Sequence, residues 1–123
     1  MAKVIDAQKP DVVVFGIRSH FFQSLQRLLP MIKSNTFNII GGHHATLCPE
    51  DCIEYADAVV VGEAEVALLR LCDALNMGAS IENIPNVVTK TNGVRKPTQP
   101  LIQDLDSLPH PLYDDESQFY VCG

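Results

Sequence analysis

One arrangement occurs three times in this chain: a short β-branched run, a glycine at its end, and a stretch whose apolar residues recur at helical spacing. The first is DVVVFGIRSHFFQSLQRLLPMIKSN. Val12 to Ile17 has the continuous apolar character of a strand covered on both faces, and Phe22, Leu25, Leu28, Leu29 and Ile32 follow at helical intervals. Ser19 reads as the cap of that helix, and Pro30, which removes a backbone donor, should kink it or end it early. The second is FNIIGGHHATLCPEDCIEYA, a strand at Phe37 to Ile40, a glycine exit, and a short helix opened by Pro49 with Glu50 and Asp51. The third is DAVVVGEAEVALLRLCDALNMG. Ala58 to Val61 reads as a strand, Glu63 and Glu65 suit a helix N-terminus, and Leu68, Leu71, Cys72 and Leu75 form an apolar stripe ending at Gly78. Alternating strands and helices imply parallel strands with right-handed crossovers and helices on both faces, a doubly wound Rossmann-like or flavodoxin-like α/β sheet.

The remainder reads differently. NVVTKTNGVRKP predicts a β-hairpin turning at Asn92-Gly93, a pair suited to the positive φ of a type I′ turn. TQPLIQDLDSLPHPLYDD is rich in proline and reads as an extended linker. These features divide the chain into an α/β unit over residues 1–98 and a linker over 99–123. With 123 residues, one modest core is expected. Nine basic against fifteen acidic side chains give a net charge of −6, which argues against a phosphate-tracking, nucleic-acid-binding surface. The apolar runs fall far short of the roughly 20 residues that span a bilayer. The first residues lack the apolar core of a signal peptide, so a cytoplasmic, thiol-reducing location is expected, with Cys48, Cys52, Cys72 and Cys122 as thiols.

In such a sheet the strands end at one edge, and ligands lie in the crevice outside those carboxyl ends. Three loops should therefore converge: Gly16 to His20, Gly41 to Thr46, and Gly62 to Glu65. Neither GxGxxG nor GxxxxGK occurs, so phosphate is not the evident cargo. His43, His44, Cys48 and Cys52 have the chemistry of zinc ligands but not the two-residue knuckle spacing of zinc modules. Cys52 and Cys72 read more simply as core residues. Ser19-His20 and Thr46 near His44 have no acidic orienting group at a diagnostic position, and Glu63 with Glu65 is explained by the helix dipole.

The segments PDVVVFGIRS, IIGGHHATLCPEDCIEYADAVVVGEAEVALLRL and LIQDLDSLPHPLYDD together resemble the cobalamin-binding domain and following connector of cobalamin-dependent radical S-adenosylmethionine enzymes. That group includes the anaerobic magnesium-protoporphyrin monomethyl ester cyclases. The GGHHAT loop corresponds to GGPHAT in the family, VVGEAE to VxGEGE, and LDSLPHPLYD to the linker that leads into the catalytic barrel. The resemblance implies a cobalamin lying over the carboxyl edge of the sheet, with the glycines of IIGGHHAT giving it room. Ser19, Gly41, Gly42, His44, Ala45, Thr46, Gly62, Glu63 and Glu65 match the family's loop residues, and Arg18 and His20 fall where they approach the lower face of the corrin.

Three departures from the pattern carry expectations of their own. His43 replaces a proline, and Ala64 replaces the second glycine of GEGE. KVIDA begins almost at the first residue, so the family's opening strand, which would pair beside Val12 to Ile17, is expected to be absent. An apolar edge should then stand unpaired, favouring self-association and weakening corrinoid affinity. The resemblance implies a 4Fe–4S cluster and S-adenosylmethionine in an adjoining radical domain; no CxxxCxxC motif occurs in this sequence to bind the cluster. Two other readings remain: a cofactor-free flavodoxin-like interaction or receiver module, which would need more acidic residues at the first strand end than Asp6 supplies, and a stand-alone hydrolase or metal protein.

Overall fold

The computed structural model describes residues 1–93 and 100–110. Among these residues are five helices, α1 (Ala2–Gln8), α2 (Phe22–Leu28), α3 (His43–Leu47), α4 (Pro49–Ile53) and α5 (Glu65–Met77), and four strands, β1 (Val12–Gly16), β2 (Phe37–Gly41), β3 (Ala58–Val60) and β4 (Val87–Val88). The strands form one sheet in the order β1-β2-β3-β4. The first three run parallel, with Val12 opposite Phe37 and Ile39 opposite Ala58, and β4 joins β3 antiparallel.

The runs of β2 and β3 are strands because both of their faces are covered; β1, expected to be covered in the same way, leaves Val14 exposed on one face. Ile40 and Val59 pack with Ile17, Leu25, Ala45 and Cys52, the face under α2, α3 and α4. Ile39, Ala58 and Val60 pack with Ala67 and Leu71, the face under α5. Side chains alternate along a strand, so neighbours such as Ile39 and Ile40 supply opposite cores, and both are fully buried. The doubly wound α/β architecture expected from the sequence is present.

Several local expectations are corrected. Ser19 does not cap α2: it opens a single 3-10 turn, Ser19–Phe21, and its hydroxyl is used elsewhere. Helix α2 stops at Leu28, and Pro30 sits in a second 3-10 turn, Leu29–Met31, as a residue without a backbone donor dictates. HHATL is helical rather than an open loop. Cys72 is exposed, because the buried line of α5 runs through Ala67 and Leu71 instead. A small residue lets the helix approach the sheet closely, and Ala67 is 1% exposed. Gly78 takes the left-handed conformation (φ 63°) that ends α5, as read from the sequence.

The turn after β4 is not type I′, since Gly93 has positive φ and Asn92 does not. Asn92 braces it through its side chain: Oδ1 accepts from Thr89 N–H at 2.8 Å, and Nδ2 donates to the carbonyls of Glu82 and Val87. The returning arm of the expected hairpin lies outside the described residues.

At the opposite end of the sheet β1 pairs with β2 alone, and no other described strand reaches its outer edge. Val14 on this strand is 48% exposed. No helix among the described residues is long and apolar enough to cross a membrane.

Candidate functional site

Three parallel strands deliver their following loops to one rim, and hydrogen bonds fasten those loops together. The Ile17 N–H donates to the Gly41 carbonyl at 2.9 Å, and the His44 N–H donates to the Ile17 carbonyl at 3.3 Å. Ser19 Oγ and His44 Nδ1 are 3.1 Å apart, which joins the first loop to the second through side chains. Thr46 joins the second to the third: its hydroxyl donates to the Gly42 carbonyl at 3.0 Å and accepts from Gly62 N–H at 2.9 Å. The turns near residues 18, 43 and 63 are therefore neighbours at the carboxyl edge of the sheet.

Gly42 makes this junction possible. Its φ of 93° and ψ of −169° lie in a region reached essentially by glycine alone. A Cβ there would stand 2.8 Å from the Ile17 carbonyl oxygen and 2.9 Å from the Ile17 nitrogen. The room left by this glycine is occupied by the backbone of the first loop. Gly41 has no such constraint: a Cβ at that position would meet the Val60 carbonyl oxygen first, at 3.8 Å. Gly16 ends β1 beside open space, with nothing within 4 Å of where a Cβ would be.

The remaining candidates divide by position. Ala45 is fully buried in the core beneath the rim. His44 is also buried, with its ring 4.3 Å from that of Phe22 and its Nε2 without a hydrogen-bond partner among the described residues. Such an unpaired polar atom ordinarily costs about 1–3 kcal/mol. Arg18 and His20 are exposed on the first loop, the His20 ring lying 4.1 Å from that of Phe21. Glu65 begins α5 and faces solvent.

Glu63 has a task that sequence reasoning missed. Its Oε2 accepts the Ile102 N–H at 2.7 Å, drawing the connector onto the rim. A cleft of about 330 Å³ opens there, lined by Gly42, His43, Thr46, Gly62, Glu63 and Leu101 among others. Farther along, Leu105 and Leu108 face Val66 and Leu69 of α5 across a wider groove of about 920 Å³. Nothing in the local sequence pairs Ile102 with Glu63, 39 residues away, so only the GE dipeptide after β3 could have signalled it.

The four residues with zinc-ligand chemistry point to separate tasks. His44 is committed to Ser19, and Cys52 is sealed in the core. Burial, reinforced by the negative charge of Asp51, pushes the Cys52 thiol up to about 12. Among the described residues no three His, Cys, Asp or Glu side chains come together as a ligand set.

A family model described as the B12 binding domain matches residues 1–72, more than half of the 123 residues. The chain belongs to the B12-binding domain family. The matched span of this B12-binding domain runs from α1 into α5 and contains all three rim loops. An uncharacterized methyltransferase of Pyrococcus horikoshii is 37% identical over 93% of the chain and 27% of its own length. The hopanoid C-3 methylase of Methylococcus capsulatus is 26% identical over 71% of the chain and 18% of its own length. The cytidylyl-2-hydroxyethylphosphonate methyltransferase of Streptomyces wedmorensis is 27% identical over 85% of the chain and 21% of its own length. The chain thus spans about a quarter or less of these curated relatives. No solved structure matches it.

Proposed function

We propose that the rim built by residues 16–20, 41–46 and 62–65 holds cobalamin for a methyl transfer carried out together with an adjoining domain. The observation that carries this reading is the fastening of the three loops into one platform at the carboxyl edge of a parallel sheet, where ligands of such sheets lie. The platform suits a flat macrocycle: open space stands beyond Gly16, and Gly62 contributes no side chain. Arg18 and His20, exposed on the first loop, are proposed to approach the lower face of the corrin. His44 supports the platform from beneath through Ser19. Cobalamin, when bound, would supply a cobalt centre able to carry a methyl group. The chain's own residues bind and orient it.

The adjoining domain is proposed to be a radical S-adenosylmethionine barrel carrying a 4Fe–4S cluster, reached through the linker from residue 99 onward. Two of the three relatives are named methyltransferases and the third a methylase. The bare edge of β1 is proposed to support self-association of this chain when it is studied alone.

The test is direct. The protein is mixed with hydroxocobalamin, free ligand is removed by gel filtration, and the visible spectrum of the protein peak is recorded. Retained cobalamin at one per chain, lost or weakened in Arg18→Ala and His20→Ala together, is the expected result. A colourless protein peak at high micromolar protein would end this reading.

A further inference from the structure

The connector lies on the surface that cobalamin is proposed to occupy. Ile102 is held to Glu63 by its backbone, and Leu101, 65% exposed, stands over the rim as one wall of the cleft with Gly42, His43, Thr46 and Gly62. With the connector seated, that cleft measures about 330 Å³. Pockets for drug-sized ligands begin at roughly 300 Å³, and a corrinoid with its macrocycle and nucleotide tail is larger than such ligands. Seated connector and fully seated corrinoid therefore compete for one space.

We infer that residues 100–104 form a strap latched across the rim by the Glu63 carboxylate, and that the latch must open for cobalamin to enter. This inference rests on the corrinoid reading of the rim. Two features give the strap a pivot and a catch. At its far end Asp104 caps a single 3-10 turn, Leu105–Ser107, by accepting from Asp106 N–H at 3.1 Å. Beyond that turn Leu108 faces Val66 and Leu69 of α5 across the wider groove, so the pivot lies away from the rim. At the near end the catch is one short hydrogen bond to a charged acceptor. A bond of that type is strong enough to bias two states and weak enough to be opened by a ligand.

Linkage fixes the sign of the effect. A ligand that needs the open strap binds with an affinity reduced by the closed fraction, so weakening the latch tightens binding. If Glu63 instead held the ligand directly, its loss would weaken binding.

The variants are Ile102→Pro, which removes the donor and leaves Glu63 untouched, Glu63→Ala, which removes the acceptor, and Glu63→Gln, whose amide oxygen still accepts. Hydroxocobalamin titration of each, with circular dichroism as the check on folding, should show roughly tenfold tighter binding for Ile102→Pro and Glu63→Ala and a smaller change for Glu63→Gln. Hydrogen exchange at the Ile102 amide should be slow in the free wild-type protein and fast both in Glu63→Ala and in wild type saturated with hydroxocobalamin. Wild-type binding with equal or weaker binding in both latch variants overturns the strap alone. No uptake by any of the four proteins overturns the corrinoid reading, and the strap falls with it.

Discussion

Replacing Gly42 with alanine should destabilise the protein severely in the absence of any ligand. The backbone there, φ 93° and ψ −169°, strains any residue with a Cβ by about 1–3 kcal/mol. The new methyl would also meet the Ile17 oxygen at 2.8 Å and the Ile17 nitrogen at 2.9 Å, both backbone atoms that no rotamer change can move aside. Relief requires the first loop to back away, which stretches the Ile17-to-Gly41 and His44-to-Ile17 hydrogen bonds. Each is worth about 1 kcal/mol net, so the total loss comes to about 3–5 kcal/mol. That is a large part of the roughly 5–15 kcal/mol that holds a domain together. Urea denaturation followed by circular dichroism reads it: with a slope near 2 kcal/mol/M the midpoint falls by about 2 M. Gly41→Ala is the control. Its Cβ meets the Val60 oxygen at an ordinary 3.8 Å, and the midpoint should move by the equivalent of less than about 1 kcal/mol. Equal midpoints for Gly42→Ala and wild type would refute the packing argument, as would equal damage from the two alanines.

Thr46→Val removes the hydroxyl that bridges the second and third loops and should cost about 1–3 kcal/mol in the same denaturation assay, while Thr46→Ser stays near wild type. Cys52 makes stability depend on pH at the alkaline end. Its thiol titrates near 12 when folded and near 9.0 when unfolded, so the folded chain holds the proton more tightly, and the stabilisation present below about pH 9 is lost as pH rises toward 12. Cys52→Ala should flatten that alkaline loss, measured as urea midpoint against pH. Native-state alkylation with iodoacetamide read by mass spectrometry should label exposed Cys72 and spare Cys52. Val14→Lys places a charge on the exposed strand edge, and light scattering should show a concentration-dependent oligomer for wild type and more monomer for the variant.

The strands and the rim are legible in the sequence because continuous β-branched runs ending in glycine have few other solutions. Val12 to Gly16, Phe37 to Gly41 and Ala58 to Val60 lie where the pattern puts them, and topology alone then brings their loops together. What escapes the pattern is decided by long-range geometry. Ser19 has the chemistry of a helix cap, but a partner 25 residues away claims its hydroxyl. Asn92 has the torsional freedom for a primed turn, yet its amide makes better use of Thr89, Glu82 and Val87. Cys72 falls on the wrong side of the stripe because the buried line of α5 runs through Ala67 and Leu71, which pack against the sheet. The family resemblance gives Gly42 to cofactor clearance, and the structure shows that Ile17 already fills the clearance. The connector reads from its prolines as a spacer, and no periodicity reports that one carboxylate draws Ile102 back onto the rim.

The two ends of the sheet are not equivalent. Among the described residues, a two-residue antiparallel strand terminates the hydrogen-bond ladder on one side; on the other, five residues of β1 keep their outward amides and carbonyls available. The longer bare edge is therefore the better template for extending the ladder. A strand laid beside β1 in the parallel sense would bring its own trailing turn to the loops at Ile17 and Gly42, so grafting a short β-segment there is a route to enlarging the platform while leaving the existing turns untouched.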